Sequence, residues 1–196
     1  MTKIILATTS PYRIAAFKEL SLDFISEGSD VDEKFINRPT KPQELVLTLA
    51  QLKAENVAKN HQEGIVIGFD SVGYFQGQIL EKPQSVAEGR ERLIKLSGQK
   101  YFFYTGVWLI NLDNQRVISR AVETEIDMRQ LSEAEIDKYI AQDPNFKTYA
   151  HGYDPVGHYS STFALKLVGS YNNFSLGIPL EAIAEMLIET GYKITK

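Results

Sequence analysis

The sequence predicts an α/β or α+β fold, because segments with strand patterns alternate with segments with helix patterns. Residues 3–7 and 64–70 are short and apolar, as expected of buried strands. Residues 101–112 carry the richest strand pattern, and a turn at Asp113-Asn114 leads into an antiparallel partner at about 116–128. The length of 196 residues fits a single domain over 1–196, or two small lobes that share a cleft.

Capping residues mark the predicted helix starts. Ser10 precedes Pro11, which suits the first helical position of a helix that ends near residue 20. Thr40-Lys41-Pro42-Gln43 resembles a capping box that opens a long helix, and similar boxes start at Ser85 and Ser132. The remaining predicted elements are a strand at 23–26, a hairpin at 74–80, a loop at 147–162, a strand at 163–168, a polar turn, and a helix at 180–190.

Composition excludes several classes of protein. The net charge of -4 argues against an extended nucleic-acid surface, which needs clustered Lys and Arg. The chain has no cysteine, which excludes disulfides, thiolate zinc sites and a cysteine nucleophile. Neither the short apolar run at 4–7 nor the stretch at 101–110 is long enough for a signal peptide or a membrane span. We therefore expect a cytoplasmic protein without a membrane partner.

The first strand-to-helix junction is a candidate anion site. A helix N-terminus offers unpaired N–H groups and a partial positive charge. Ser10 and Arg13 lie in this first turn, where a hydroxyl and a bidentate guanidinium would complete a phosphate cradle. The alternative is a capped helix with a surface arginine.

Acidic residues supply the second half of a candidate site. Asp70 ends the apolar run 65–69, and carboxylates at strand ends commonly face ligands in α/β proteins. Asp can bind a hard cation or act as a base for water, although it can also cap a turn. The acidic loop 30–33, which ends at Glu33, could supply a second carboxylate, or it could be a solvated loop.

Lys53 and Lys82 could each neutralise phosphate charge, although most lysines on helices and loops do not. The three histidines lack metal-ligand spacing and are interpreted as structural. The sequence contains no P-loop, no G-x-G-x-x-G and no G-x-S-x-G motif.

Taken in order, short motifs along nearly the whole chain resemble the Maf family of nucleoside triphosphate pyrophosphatases. The opening strand and Ser-Pro-x-Arg appear at Ser10-Pro11-Tyr12-Arg13, and the Gly-x-Asp strand end appears at Gly68-Phe69-Asp70. The other matching motifs are Asp32-Glu33, Leu49-Ala50-Gln51-Leu52-Lys53-Ala54, Lys82-Pro83, Leu96-Ser97-Gly98, Tyr104-Thr105-Gly106, Leu131-Ser132-x-x-Glu135-Ile136 and Gly177-Ile178-Pro179-Leu180.

The resemblance implies a fold, a reaction and a site. The fold would be an elongated, twisted mixed sheet flanked by helices, related to Ham1 proteins, with two lobes around the active-site groove. Asp70 would be the catalytic carboxylate, as base or metal ligand, and Glu33 would help to hold Mg²⁺ or Mn²⁺. The residues that would grip the triphosphate are Ser10, Arg13, Lys53 and Lys82. The family also allows either a monomer or a homodimer.

The resemblance further implies a substrate class. Family members that act on dTTP and UTP carry Arg, Thr and Gln where this chain has Tyr12, Ser71 and Val156. A sub-branch that acts on 7-methyl-GTP carries an aromatic residue at the position of Tyr12, which suits a cationic base. Ser71 and Val156 depart from that branch too. The resemblance makes Tyr12, Ser71 and Val156 further substrate-binding positions. 7-methyl-GTP is the favoured substrate; the alternatives are dTTP or UTP, and a nucleotide-binding regulator of cell division without catalysis.

Overall fold

A computed structural model describes residues 2–194 and confirms the predicted mixed α/β fold. The strands are β1 Ile4–Ala7, β2 Phe24–Glu27, β3 Ile65–Phe75, β4 Gln78–Leu80, β5 Lys100–Asn111, β6 Arg116–Met128 and β7 Ala164–Gly169. The α-helices are α1 Pro11–Lys18, α2 Pro42–Ala58, α3 Val86–Leu96, α4 Glu133–Gln142, α5 Tyr171–Leu176 and α6 Leu180–Glu189. Two short 3₁₀ helices, Phe146–Thr148 and Tyr159–Thr162, lie in the predicted loop.

The strands form one seven-stranded mixed sheet in the order β2-β1-β3-β5-β6-β7, with β4 paired to β3. β1 is parallel to both of its neighbours, and Ile4 is in register with Phe24 of β2 and Ile65 of β3. The β3–β4 and β6–β7 pairs are antiparallel. Among residues 2–194, no helix combines the length and the apolar character that a bilayer crossing requires.

The chain divides into two compact units, each with its own core. Unit 1 contains the residues up to Ser71, Thr105–Val122 and the residues from Leu176 onward, and unit 2 contains Val72–Tyr104 and Glu123–Ser175. In unit 1, alternate residues of β1 belong to two apolar clusters, because successive strand side chains point to opposite faces. Unit 2 has an aromatic core that includes Tyr101, Phe103, Tyr139, Tyr153 and Phe163.

Most predicted helix starts are confirmed. The Ser10, Ser85 and Ser132 hydroxyls each accept an N–H from the first turn of their helices, and Ser132 and Glu135 form a complete capping box. The predicted cap of α2 is wrong: Lys41 is the N-cap and makes no side-chain capping bond. Pro42 at the first position has no N–H to satisfy, so this helix begins without a hydroxyl cap.

Two further boundaries differ from the prediction. β3 continues for five residues beyond Asp70, to Phe75, so Asp70 lies within the strand instead of at its end. Its pairing with β1 stops at Gly68, because β1 itself ends at Ala7. The predicted polar turn after β7 contains α5, which is too short for helical periodicity to mark in the sequence.

Candidate active site

Asp70, Glu33 and Lys53 form a charged cluster in unit 1. The Lys53 ammonium donates to Asp70 Oδ1 at 2.8 Å and lies 2.8 Å from Glu33 Oε1. Asp70 is buried, with 8% of its surface exposed, whereas about half of the Glu33 side chain is accessible. The structure therefore brings two predicted site carboxylates onto one predicted site lysine.

Burial raises the pKa of Asp70 above its ordinary value, although the neighbouring Lys53 and Arg13 lower it and limit the rise. The repulsion between Glu33 and Asp70 acts in the same direction as burial. A carboxylate with a raised pKa is a stronger base once it is ionised. This environment suits Asp70 to accept a proton from water.

The start of α1 places three more predicted residues. Ser10 Oγ accepts the Arg13 backbone N–H at 3.4 Å, as a helix cap does. Tyr12 presents a side chain that is 39% exposed. The Arg13 side chain turns back to β3: its Nη1 donates to the Phe69 carbonyl at 3.3 Å. Burial lowers the pKa of Arg13. The negative charges of Asp70 and Glu33 oppose this effect, because both carboxylates lie within electrostatic reach of the guanidinium.

Ser71 belongs to a partly buried polar network. Its hydroxyl lies 2.7 Å from Arg13 Nη2, 2.7 Å from Thr105 Oγ1 and 3.4 Å from the Gly177 carbonyl. Gly177 also accepts from Arg13 Nε at 3.2 Å. Sequence reasoning assigned no role to Thr105 or to Gly177. A hydroxyl in the interior of an otherwise apolar strand was the available signal for Thr105.

Lys82 and Val156 belong to unit 2 and not to the unit that holds Asp70. Lys82 is exposed, and its carbonyl accepts from the Gln84 side chain at 2.8 Å. Val156 presents 47% of its surface to solvent and helps to line a cavity of about 450 Å³ together with Lys166, Tyr171 and Phe174. The roles of Lys82 and Val156 in substrate binding stay predictions.

Within residues 2–194, one group of three carboxylate or imidazole side chains has ligand atoms within 4.8 Å of one another: Asp143, Asp154 and His158. Local hydrogen bonds explain the two carboxylates. Asp143 accepts from the Tyr139 hydroxyl at 2.7 Å and from a backbone N–H two residues ahead, and Asp154 accepts the N–H groups of two following residues. Glu33 and Asp70, the predicted metal ligands, lie outside this group.

His151 is a core residue, which confirms its structural interpretation. Its ring stacks on the ring of Phe103, with 3.7 Å between the two ring centroids. Its Nε2 donates to the Phe174 carbonyl at 3.0 Å. Nδ1 must then accept from the Tyr101 hydroxyl, 3.0 Å away, because a neutral imidazole carries one proton. Burial lowers the pKa of His151 to about 3, so this tautomer persists at neutral pH.

Known proteins resemble this chain in sequence and in fold. The dTTP/UTP pyrophosphatase of Dictyoglomus thermophilum is 33% identical over 193 residues, which cover 98% of this chain and 98% of that protein. The structure of the Staphylococcus aureus Ham1 protein superposes with a TM-score of 0.56 at 16% identity, covering 96% of this chain and 99% of that one. The second likeness concerns the fold alone.

A sequence model of the Maf-like protein family matches residues 3–190. That match extends from β1 to the end of α6, and it includes every residue of the Asp70 cluster. Together with the relative that is similar over its full length, it shows the family directly. This chain belongs to the Maf family of nucleoside triphosphate pyrophosphatases, which are hydrolases acting on phosphoric anhydrides.

Proposed function

We propose that this chain hydrolyses a nucleoside triphosphate to the monophosphate and pyrophosphate, with Asp70 as the catalytic carboxylate. The observation that carries the proposal is the contact of buried Asp70 and of Glu33 with the Lys53 ammonium, each at 2.8 Å. A cluster of this kind combines a base for water with cationic groups for phosphate. Phosphoanhydride cleavage needs both.

The reaction joins a water oxygen to the α-phosphorus and breaks the bond from that phosphorus to the pyrophosphate oxygen. Asp70 would accept the water proton, either directly or while it also holds a cation. Arg13 and Lys53 would offset the negative charge that repels the attacking water. Lys82, of unit 2, is proposed to contribute in the same way. Ser10 would bind phosphate at the positive end of α1.

A divalent cation fits the donor set of this site. Asp70 and Glu33 each place a carboxylate oxygen 2.8 Å from the same Lys53 nitrogen, so the two carboxylates belong to one cluster. Carboxylate oxygens are the ligands that Mg²⁺ and Mn²⁺ prefer. When bound by Asp70 and Glu33, such a cation would supply charge neutralisation at the phosphates.

Two substrate classes have support. Tyr12 is accessible one residue before Arg13, and its ring could stack on the cationic base of 7-methyl-GTP. The relative from Dictyoglomus thermophilum, at 33% identity, favours dTTP or UTP instead. We propose 7-methyl-GTP as the first candidate, because the aromatic ring of Tyr12 would attract a cationic purine. The pyrimidine triphosphates dTTP and UTP are the second candidate.

The test is pyrophosphate release from a panel of nucleoside triphosphates that contains 7-methyl-GTP, UTP, dTTP and the other common triphosphates, with and without Mg²⁺ or Mn²⁺. We expect release that depends on the cation and that Asp70→Asn reduces by about 10²–10³. Asp23→Asn, which changes an exposed carboxylate of unit 1, is the matched control and should retain activity. Absence of release from every substrate, or full activity in Asp70→Asn, would contradict the proposal.

A further inference from the structure

Arg13 holds the residues on both sides of Asp70. Its Nη1 donates to the carbonyl of Phe69 at 3.3 Å, and its Nη2 donates to the hydroxyl of Ser71 at 2.7 Å. Its Nε donates to the Gly177 carbonyl at 3.2 Å, so three separate nitrogens of the guanidinium are engaged by this chain. A planar fork held at three points fixes the backbone that carries Asp70.

The hydrogen bonds of Ser71 can be assigned by counting. A hydroxyl has one proton to donate and two lone pairs that accept. Arg13 can only donate and the Gly177 carbonyl can only accept, so Ser71 donates to Gly177 and accepts from Arg13. Its second lone pair then accepts from Thr105, whose Oγ1 lies 2.7 Å away. All three contacts are satisfied only by this arrangement.

Thr105 lies beneath this network and not at the surface. Its exposed fraction is 0%, and it belongs to β5, the neighbour of β3 in the sheet. The adjacent Gly106 packs directly against the backbone of α2, since a Cβ built there would lie 2.2 Å from the Val46 carbonyl oxygen. This packing fixes the β5 backbone at the position of Thr105.

We propose that Thr105, acting through Ser71, is a positioning residue that orients Arg13 and the β3 backbone around Asp70. The proposal rests on the proposed pyrophosphatase function. Removing the Thr105 hydroxyl leaves a lone pair of Ser71 without its donor, which frees Ser71 to turn and release Arg13. Because Asp70 lies between the two residues that Arg13 holds, the loss is expressed in the chemical step.

This role differs from reading the base. The three contacts use the whole hydrogen-bonding capacity of the Ser71 hydroxyl, so a bond to a nucleobase would require one of them to break. A positioning role predicts equal effects on all substrates. A base-reading role predicts a change in KM for one base only.

The test measures kcat and KM of Thr105→Val, Thr105→Ser and Ser71→Ala with 7-methyl-GTP and UTP. For Thr105→Val we expect kcat to fall about 10- to 100-fold on each substrate that the wild type cleaves, as for small misplacements of catalytic groups, with KM changed less than about threefold. Thr105→Ser retains the hydroxyl and should keep kcat within about threefold of wild type. Ser71→Ala should lower kcat by the same factor as Thr105→Val, and the double variant should show no further decrease in kcat.

Wild-type kcat in a folded Thr105→Val, or a Ser71→Ala effect confined to KM for one base, would overturn the positioning role alone. No turnover by the wild type would overturn the proposed function and, with it, this proposal. If circular dichroism shows that Thr105→Val is unfolded, Ser71→Ala decides the same question, because it removes the link between Thr105 and Arg13.

Discussion

Gly68 of β3 lies directly beneath the Ala50 carbonyl of α2: a Cβ built on Gly68 would lie 2.1 Å from that oxygen. The same Cβ would lie 2.8 Å from the Ala54 nitrogen, so the strand and the helix are in backbone contact. Lys53 belongs to this turn of α2, and Asp70 follows Gly68 by two residues. The close approach therefore brings the Lys53 ammonium within reach of the Asp70 carboxylate.

Gly68→Ala tests this relationship. The added methyl group must displace helix backbone, so we expect the free energy of unfolding to fall by about 1–3 kcal/mol or more in urea denaturation. Pyrophosphate release should fall as well, because displacement of α2 moves Lys53. Gly73→Ala is the control, since the atoms nearest to its Cβ would belong to the Leu80 side chain, at 3.2 Å and beyond, and not to backbone. Equal stability of the two variants would contradict the role of the Gly68 contact.

Lys53→Met should change the pH dependence of the proposed reaction. Lys53 lowers the pKa of Asp70 against the effect of burial, so its removal raises that pKa further. Asp70 then stays protonated to higher pH, and the acid limb of kcat/KM should move to higher pH while its maximum falls about 10²–10³. Lys59→Met removes an exposed ammonium beyond the end of α2 and should leave the profile unchanged. An unmoved acid limb in Lys53→Met would exclude this coupling.

Asp70→Asn should alter the pH dependence of stability. Burial raises the folded-state pKa of Asp70 above its unfolded value, so its stabilising contribution is present at low pH and is lost as pH rises through the folded pKa. Asn is neutral throughout, so the gain in unfolding free energy over the wild type should be larger at about pH 8 than at about pH 4. Asp23→Asn should lack this trend, and a gain that is independent of pH would exclude burial as the dominant effect.

His151 should make the fold sensitive to acid. Its pKa is lowered by burial to about 3, whereas the unfolded chain binds the proton near pH 6.5. Stability is therefore lost as pH falls from 6.5 towards 3, by about 2 kcal/mol at pH 5. Urea denaturation at about pH 7 and at about pH 5 would measure this loss of unfolding free energy. His151→Gln should remove this part of the pH dependence although it lowers stability at neutral pH, whereas His158→Gln should retain it.

Secondary structure was predictable where a serine cap or a turn residue marks it locally. A serine hydroxyl caps the first turn of its own helix, so Ser10, Ser85 and Ser132 located α1, α3 and α4. The turn at Gln76-Gly77 was equally local, because both residues have positive φ in the β3–β4 hairpin. The sequence patterns did not show that the strand ending at Asp70 and the hairpin beginning at Tyr74 are parts of one continuous strand, β3.

The candidate site was predictable as a set of chemical groups. Asp70, Glu33, Lys53 and Arg13 were selected from the sequence as carboxylates and cations suited to phosphate chemistry, and the structure brings them together in unit 1. Thr105 was not selected, because its hydrogen-bond partner, Ser71, lies 34 residues away in the chain and nothing in the local sequence identifies it. The place of Ser71 in an internal network was equally invisible in the sequence.

The sequence by itself determined which groups can bind, donate or accept a proton, since those capacities belong to individual side chains. The tertiary structure alone decided which of these groups meet. Lys53 and Asp70 are 17 residues apart, and Arg13 and Gly177 are 164 apart, yet each pair is hydrogen-bonded. The contact of Lys53 with Asp70 depends on how closely α2 packs on β3 at Gly68, which is a property of the whole unit and not of any local pattern.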